Sequence, residues 1–300
     1  MKPSEIQSTQ SGGNMETVFD LAGLHRVVSD WKREGASVAF VPTMGNLHKG
    51  HLSLLERAHE LADKTIVSIF VNPIQFGEGE DYEAYPSTLE QDQAVLAENN
   101  LDLLFAPDLK QLYPGGMDND TRIIVPEISN ILCGRFRPGH FSGVATVVCK
   151  LLANTQSDFA IFGEKDYQQL LVIRRMVSDL CIPTEIIGMP TVREEDGLAM
   201  SSRNTYLGPI ERQQAPHIYQ VLQSAAQRLR HEPEQIPAIE AEGMLALENY
   251  GFKPEYFSVR RTEDLGEPHA DDLRLSILTA VWLGGARLID NVKVLVDREA

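Results

Sequence analysis

The 300-residue sequence has few cysteines, no long apolar run and no signal-peptide core. Its three cysteines, Cys133, Cys149 and Cys181, are odd in number and widely spaced, which excludes a disulfide framework. No CxxC pair indicates a zinc site, so the cysteines are expected to be reduced core thiols. The apolar stretches are too short to cross a bilayer. The polar residues 1–14 are expected to form a disordered tail.

Basic residues are also scarce. The chain has 27 Lys and Arg against 43 Asp and Glu, a formal net charge of −16. This excess of acidic groups excludes a broad surface for nucleic acid or for an acidic membrane. A local anion site remains compatible with it, because a few basic groups inside a cleft can bind a phosphate. With 43% hydrophobic residues, the chain has the composition of a globular protein with a large core.

Strand-like and helix-like segments alternate over the first two thirds of the chain. Ala36–Val41 reads as a buried strand, the segment after Gly50 as a helix, and Thr65–Val71 as a second strand. A helix is expected before this unit, over Thr17–Glu34. The alternation then continues with a helix opened by a Ser87–Glu90 capping box and ending at Glu98, a strand Leu101–Ala106, a helix Ser142–Ala153, a strand Asp158–Phe162, a helix Tyr167–Leu180 and a strand Thr184–Ile187. This order predicts a doubly wound, Rossmann-like parallel sheet with helices on both faces.

Beyond residue 192 the pattern changes. Glu211–Arg230 and Pro233–Asn249 read as helices, and Pro254–Val259, Leu275–Leu283 and Arg287–Val294 read as short strands. These segments predict a smaller C-terminal α+β domain. The expected organisation is therefore a tail at 1–14, a ligand-binding domain at 15–192 and a smaller domain at 193–300.

The most informative motif is MGNLHKGH, Met44–His51, between a strand and the helix that follows it. In a doubly wound sheet this position binds nucleotides, and a helix N-terminus attracts phosphate. His48 and His51 are three residues apart, so both can donate hydrogen bonds to one anion as charge builds in a transition state. The alternative is a capped helix with two surface histidines. A metal site is disfavoured, because no third ligand follows at a recognisable spacing.

Two further motifs also follow strands. FVNPIQF places the neutral amides of Asn72 and Gln75 after the second strand, where they suit a substrate with carboxylate and hydroxyl groups. The alternative is a simple Asn-Pro turn. GEKDYQQ, Gly163–Gln169, provides Lys165 for a phosphate and Asp166 for a helix cap or for ribose hydroxyls. A solvated loop is the competing interpretation.

Two loops complete the candidate set. Val192–Asn204, VREEDGLAMSSRN, contains two hydroxyls and a guanidinium that suit phosphate oxygens, with a surface turn as an equal alternative. RFRPGHFSGVATVV places Arg137 and His140 before a helix, where they belong either to a substrate loop or to the helix entry.

In this order, MGNLHKGH, FVNPIQF, RPGHFSGV, FGEKDYQQL and GLAMSSRN closely resemble the pantothenate synthetase (pantoate–β-alanine ligase) family of the HxGH nucleotidyltransferase superfamily. The resemblance is strong over residues 39–204 and looser beyond them. It implies condensation of (R)-pantoate with β-alanine at the expense of ATP, through a pantoyl adenylate. It also implies magnesium held by the ATP phosphates with no metal site made by protein alone, a cytoplasmic homodimer, and a mobile C-terminal lid domain.

By the family's pattern, Gln75 binds pantoate and β-alanine, Gln169 binds pantoate, and Val192 contacts adenine through its backbone. Asn72 and Arg137 are added as substrate-binding candidates from their chemistry. The expected catalytic residues are His48, His51, Lys165 and Arg203, with His51 as proton donor. The expected ATP contacts are Met44, Gly45, Asn46, Leu47, His48, Lys49, Gly50, His51, Gly163, Glu164, Lys165, Asp166, Val192, Met200, Ser201, Ser202 and Arg203.

Two other interpretations stay open on the sequence. A different HxGH nucleotidyltransferase would adenylylate a phosphate and would form no AMP that depends on a carboxylic acid. A non-catalytic nucleotide-binding module would bind ATP without turnover, and the amides of the second motif would then have no purpose.

Overall fold

The computed structural model describes residues 15–77 and 79–297. The tail predicted at residues 1–14 lies outside the described residues. Two compact units are present. The first runs up to Val125 and adds Gly139–Phe162 and Ile173–Met189. The second comprises Pro126–Pro138, Gly163–Val172 and the chain from Pro190 onward. The domain boundary at residue 192 stays a prediction.

A six-stranded parallel sheet organises the first unit, in the order β1-β4-β3-β2-β5-β6. Alternate residues of each strand point to opposite faces of a sheet. Ala39 and Val41 pack on one face with Leu54 and Leu55, while Phe40 is fully buried on the other. A sheet buried on both faces needs helices on both, which confirms the doubly wound class. The strands are β1 Glu16–Val18, β2 Val38–Thr43, β3 Lys64–Ile69, β4 Leu103–Phe105, β5 Phe159–Gly163 and β6 Glu185–Met189.

The helices that follow these strands carry apolar faces at helical spacing. Their bounds are α1 Leu21–Arg33, α2 Lys49–Leu61, α3 Leu89–Glu98, α4 Leu109–Leu112, α5 Cys133–Phe136, α6 His140–Thr155 and α7 Tyr167–Asp179. No helix in the described part of the chain is long and apolar enough to cross a membrane.

The second unit contains an antiparallel sheet of three strands, β7 Lys253–Arg261, β8 Arg274–Leu283 and β9 Ala286–Leu295. The helices α8 Pro209–Gln214, α9 His217–His231 and α10 Ile236–Asn249 precede it along the chain. Apolar residues of α9, including Leu222 and Leu229, pack with Ile277 and Val281 of β8 in one buried cluster. The predicted smaller α+β unit is therefore present at the C-terminal end.

Three local predictions were wrong. Residues 16–18 form a strand beside β4, so the first helix begins later than its apolar spacing suggests. Thr88, not Ser87, is the N-cap of α3, and it makes no side-chain capping bond. The helix predicted over Glu211–Arg230 is split into α8 and α9, because Pro216 has no N–H to continue the ladder.

Candidate active site

The loop after β2 is held in a shape that only glycine fits at Gly45. Gly45 has φ +81, and a Cβ there would lie 3.0 Å from Oδ2 of Asp92 and 3.2 Å from Cγ2 of Ile69. Asp92 is 3% exposed, and its carboxylate accepts the N–H groups of Asn46 at 2.9 Å and Leu47 at 2.8 Å. Thr88 donates its hydroxyl to the same carboxylate at 2.9 Å. A buried carboxylate therefore anchors the backbone that leads into the two histidines.

His48 and His51 form a reciprocal cap at the start of α2. The Nδ1 atom of His48, the N-cap residue, accepts the Gly50 N–H at 3.1 Å, and Nδ1 of His51 accepts the His48 N–H at 3.3 Å. The ring centroids are 4.0 Å apart. A neutral imidazole that accepts at one nitrogen carries its proton on the other. Both rings therefore place an N–H at Nε2, so the arrangement presents two donors from one helix turn.

The amides of the second motif have different surroundings. Asn72 is 1% exposed, and its Nδ2 group donates to the Gly143 carbonyl at 3.2 Å and to Oε1 of Gln75 at 3.3 Å. Its Oδ1 accepts the Tyr113 hydroxyl at 2.9 Å. Since donors and acceptor of Asn72 all have protein partners, we expect Asn72 to orient Gln75 and not to contact a ligand itself.

Gln75 lies at the end of a 3₁₀ turn, Pro73–Gln75, that follows β3. Its Nε2 group donates to the sulfur of Met44 at 2.9 Å, and its backbone carbonyl oxygen is 2.7 Å from Nδ1 of His140, the first residue of α6. Sulfur is a weak acceptor, so an oxygen of a ligand can replace it at little cost. The first unit thus brings Gln75 together with Met44 of the histidine loop.

Burial raises the pKa of Tyr113 to about 12, and the nearby negative charge of Asp120 acts in the same direction. The phenol is therefore neutral at physiological pH and remains a donor to Asn72. Lys150 lies 4.3 Å from the centre of its ring. Tyr113 was not predicted from the sequence.

The motif after β5 lies in the second unit from Gly163 onward. Glu164–Asp166 form a 3₁₀ turn before α7, and Asn291 fixes it by donating to the carbonyls of Glu164 at 2.9 Å and Lys165 at 3.0 Å. Glu164 also pairs with Lys293 at 2.7 Å. Gln169 is half-buried on the first turn of α7. The backbone that carries Lys165 is therefore held by β9 of the same unit.

The loop from Val192 to Met200 is closed on itself. The Met200 N–H donates to the Val192 carbonyl at 3.0 Å, and Gly197, at φ +93, could not carry a Cβ, which would lie 2.8 Å from Cδ1 of Tyr219. Arg193 stacks 3.6 Å from the centre of the Tyr219 ring.

Arg193 also reaches Asp290, at 2.6 and 2.9 Å. Asp290 is 4% exposed, and burial raises the pKa of its carboxyl group although Arg193 opposes the shift. Neither partner was predicted as a site residue. The pair holds the start of the loop against β9.

The predicted phosphate contacts follow this loop. Ser201 is the N-cap of a 3₁₀ turn, Ser202–Tyr206, and accepts the Arg203 N–H at 3.3 Å. Ser202 is 9% exposed, and Arg203 is half-buried. Lys165, Ser201 and Asp290 line one cavity of about 10 Å³, so the structure brings the Gly163–Gln169 motif to the Val192–Asn204 loop. Arg137 ends the short helix α5 and is half-buried.

No group of three or more His, Cys, Asp or Glu side chains within residues 15–77 and 79–297 is arranged to hold a metal ion. The residues that shape the site but were not predicted from the sequence are glycines and buried polar residues. Asp92 interrupts the apolar face of α3 between Leu89 and Leu96, and that interruption was a usable signal. Gly143, in the interior of α6, was another.

The comparisons with known proteins agree with this geometry. The family model described as pantoate-beta-alanine ligase matches residues 16–293. The pantothenate synthetase of Thioalkalivibrio sulfidiphilus is 51% identical over 93% of this chain and 98% of its own, and that of Pseudomonas aeruginosa is 50% identical over 94% of this chain and its full length.

Two solved structures are similar over most of the chain. Pantothenate synthetase from Thermus thermophilus has a TM-score of 0.84 at 45% identity, covering 92% of this chain and 98% of its own. Pantoate-beta-alanine ligase from Francisella tularensis, complexed with beta-gamma ATP and beta-alanine, has a TM-score of 0.76 at 38% identity, covering 92% and 96%. The HxGH loop, the amide motif and these matches over nearly the full length show that the chain belongs to the pantoate–β-alanine ligase family.

Proposed function

We propose that this chain condenses (R)-pantoate with β-alanine at the expense of ATP, giving pantothenate, AMP and diphosphate through a pantoyl-adenylate intermediate. The observation that carries the proposal is the reciprocal histidine cap, which leaves an N–H on Nε2 of both rings at the start of α2, in the same loop as Met44, whose sulfur accepts from Gln75. Family membership supports the same activity.

In the first step a carboxylate oxygen of pantoate attacks the α-phosphorus of ATP in line. A carboxylate–phosphorus bond forms, the bond to the β-phosphate bridging oxygen breaks, and diphosphate leaves with the electron pair. Such transfer depends on positioning and charge neutralisation more than on a covalent nucleophile. His48 and His51 donate from Nε2 to phosphate oxygens as their charge grows, with His51 as the proton donor to the departing group. Lys165 and Arg203 neutralise the remaining negative charge on the phosphates.

Gln75 holds pantoate in this proposal. Its Nε2 group gives up the Met44 sulfur for an oxygen of the substrate, while Asn72 keeps Oε1 in place. Because an amide carries no net charge, it binds the acid without the strong pairing that would blunt the nucleophile. Gln169 contributes a second amide to the same substrate.

The remaining residues of the proposal bind ATP. The loop Met44–His51 and the turn Gly163–Asp166 contact the nucleotide, Val192 meets the adenine through its backbone, and Met200, Ser201, Ser202 and Arg203 meet the phosphates. The fixed turns described above support these roles, since each is braced by partners inside its own unit.

In the second step the neutral amine of β-alanine attacks the acyl carbon of the adenylate. A carbon–nitrogen bond forms, the carbon–oxygen bond to AMP breaks, AMP leaves with the electron pair, and the amine loses its proton to solvent. Water would hydrolyse the same intermediate, so the site must exclude it.

We propose that magnesium enters the site bound to the phosphates of ATP. Mg²⁺ keeps several waters and is usually bound through phosphates with one or two carboxylates, so a site with phosphate-directed donors and no acidic cage among its described residues fits a metal brought in by ATP. When bound there, it would neutralise charge on the leaving diphosphate. Lys165 and the two histidines would hold the phosphates that carry it.

Two further expectations accompany the reaction. We propose that the enzyme works in the cytoplasm, supported by three cysteines that are all unpaired thiols. We also propose a homodimer, which the family resemblance implies and which light scattering on the purified protein would test by mass.

One assay tests the reaction. Purified protein is given ATP, magnesium and pantoate, and diphosphate and AMP are measured with and without β-alanine. We expect a diphosphate burst of about one per site without β-alanine and steady AMP release with it. Turnover of ATP without pantoate, or ATP binding with no turnover under any condition, would contradict the proposal and favour another HxGH transferase or a binding module.

A further inference from the structure

The stretch Pro126–Pro138 of the second unit, here called the arginine segment because it carries Arg135 and Arg137, contains two strained residues. Glu127 has φ +65 and ψ −76, and the Ile128 N–H donates to the Pro126 carbonyl at 2.8 Å. This is the γ-turn with positive φ, the rarer and more strained form.

Leu132 is the second strained residue of the arginine segment. It has φ +46 and ψ −121, and the Gly134 N–H donates to the Ile131 carbonyl at 2.8 Å. These values are those of the first central position of a type II′ turn, which glycine normally occupies. A leucine and a glutamate keep such conformations only where the surrounding structure holds them.

Gln168 supplies that restraint. It is 4% exposed, and its Nε2 group donates to the carbonyls of Ile128 at 2.7 Å and Ile131 at 2.8 Å. Its Oε1 accepts the Cys133 N–H at 3.1 Å. Ile128 directly follows the strained Glu127, and Ile131 and Cys133 lie on either side of the strained Leu132. One side chain therefore pins both turns of the arginine segment to the first turn of α7.

Tyr256 of β7 fixes the segment from a second direction. Its hydroxyl lies 3.0 Å from Sγ of Cys133, and its ring stacks with Phe136 at a centroid distance of 6.0 Å. Burial raises the pKa of Tyr256 well above its ordinary value, so the phenol stays neutral. The short helix α5 is thereby braced on both sides, and Arg137 follows directly from it.

Arg137 suits a carboxylate that does not react. A guanidinium paired with the pantoate carboxylate would stabilise the nucleophile and so oppose its attack on phosphorus. The carboxylate of β-alanine keeps its charge through the whole second step, so pairing it with a guanidinium does not raise the barrier of that step. Arg is also the side chain best shaped to hold a carboxylate through two parallel hydrogen bonds.

We propose that Gln168 is a positioning residue for β-alanine: it holds the arginine segment in the strained conformation that presents Arg137 to the β-alanine carboxylate. This inference rests on the proposed function, and it concerns the second step alone.

Gln168→Met tests it, because methionine has a similar volume and cannot make the three bonds. We expect the KM for β-alanine to rise about tenfold or more, the scale of a lost charge-assisted contact. The pantoate-dependent diphosphate burst should change by less than about threefold, since that step does not use β-alanine. Gln223→Met, on the exposed face of α9, is the matched control and should leave both quantities unchanged.

A double-variant cycle shows whether Gln168 acts through Arg137. Arg137→Ala should raise the β-alanine KM at least as much as Gln168→Met, and the double variant should be no worse than Arg137→Ala alone. If Gln168→Met does not fold, Gln168→Glu replaces it. That side chain keeps the acceptor and, when protonated, one donor, so a smaller rise in the β-alanine KM is expected.

The outcomes separate this inference from the reaction itself. No diphosphate burst in the unmodified protein would defeat the proposed function. A normal burst with an unchanged β-alanine KM in Gln168→Met or Gln168→Glu would overturn only the positioning role. Additive effects in the double variant would also overturn it, because they show that Gln168 acts independently of Arg137. Equal loss of the burst and of β-alanine use would overturn it as well, because it indicates general damage to the fold.

Discussion

Replacing Gly143 by alanine tests how closely α6 must approach the turn that carries Gln75. A Cβ at residue 143 would lie 2.8 Å from three backbone atoms, Cα and N of Gln75 and the carbonyl oxygen of Ile74. Ordinary contact begins at 3.4 Å, so α6 or the turn must move by about 0.6 Å to restore it. Backbone cannot rotate away as a side chain can.

Two effects on stability oppose each other in Gly143→Ala. Alanine in a helix interior gains about 0.5–1 kcal/mol over glycine, whereas overpacking costs about 1–3 kcal/mol. We expect a net loss of about 1–2 kcal/mol in the free energy of unfolding. Because a misplacement of about 1 Å can cost about a hundredfold in rate, the 0.6 Å shift of Gln75 should lower kcat/KM for pantoate by about ten- to a hundredfold.

Urea unfolding and steady-state kinetics measure the two quantities. Gly115→Ala is the control, since a Cβ there meets nothing within 4 Å and the backbone does not have positive φ. A Gly143→Ala protein that is more stable than the unmodified chain and equally active would show that the gain in helix propensity exceeds the cost of overpacking. The close packing of α6 against Gln75 would then have no role in the site.

Three further predictions follow from the first unit. His48→Ala and His51→Ala should each lower the single-turnover rate of diphosphate release by about two to four powers of ten, and near-normal rates in both would remove them from the mechanism. Asp92→Asn turns an amide NH₂ toward the Asn46 or Leu47 N–H, so kcat/KM for ATP should fall about tenfold by coupled assay; an unchanged value would show that the loop does not need this anchor. For Tyr113, whose pKa is raised from 10.0 to about 12, the stabilisation by the neutral phenol is complete below pH 10 and is lost as pH rises through 12. The difference in unfolding free energy between the unmodified chain and Tyr113→Phe should therefore be constant below pH 10 and shrink above it, and a difference that grows with pH would contradict this assignment.

The doubly wound sheet was predictable because its strands are short β-branched runs separated by helical periods. The histidine loop was predictable for a related reason: an HxGH motif between a strand and a helix lies at the carboxyl end of that strand, where such folds bind nucleotides. Its internal geometry was not. The sequence suggested two donors on one face, whereas the structure also makes each imidazole a helix cap through Nδ1. That dual use depends on backbone dihedrals that spacing alone does not reveal.

Other site features escaped prediction because they depend on tertiary contacts. The substrate-binding role of Asn72 stays a prediction, but its burial and its hydrogen bond to Tyr113, 41 residues away in sequence, could not be read from the motif. Gln168 and Gln169 are adjacent and identical in type, yet one is buried against the arginine segment and the other is half-buried. Helical periodicity cannot say which neighbour a buried amide will satisfy.

The central claim is that the pantoate carboxylate attacks ATP directly and that the enzyme holds the resulting pantoyl adenylate until β-alanine reacts with it. Pantoate labelled with ¹⁸O in its carboxylate tests this most directly, with AMP and pantothenate analysed by mass spectrometry after complete turnover. Because one carboxylate oxygen bridges to phosphorus and stays there when the acyl group leaves, each AMP should carry one ¹⁸O. AMP without label, or a protein that gains the mass of a pantoyl group when β-alanine is withheld, would contradict the mechanism even if pantothenate is formed.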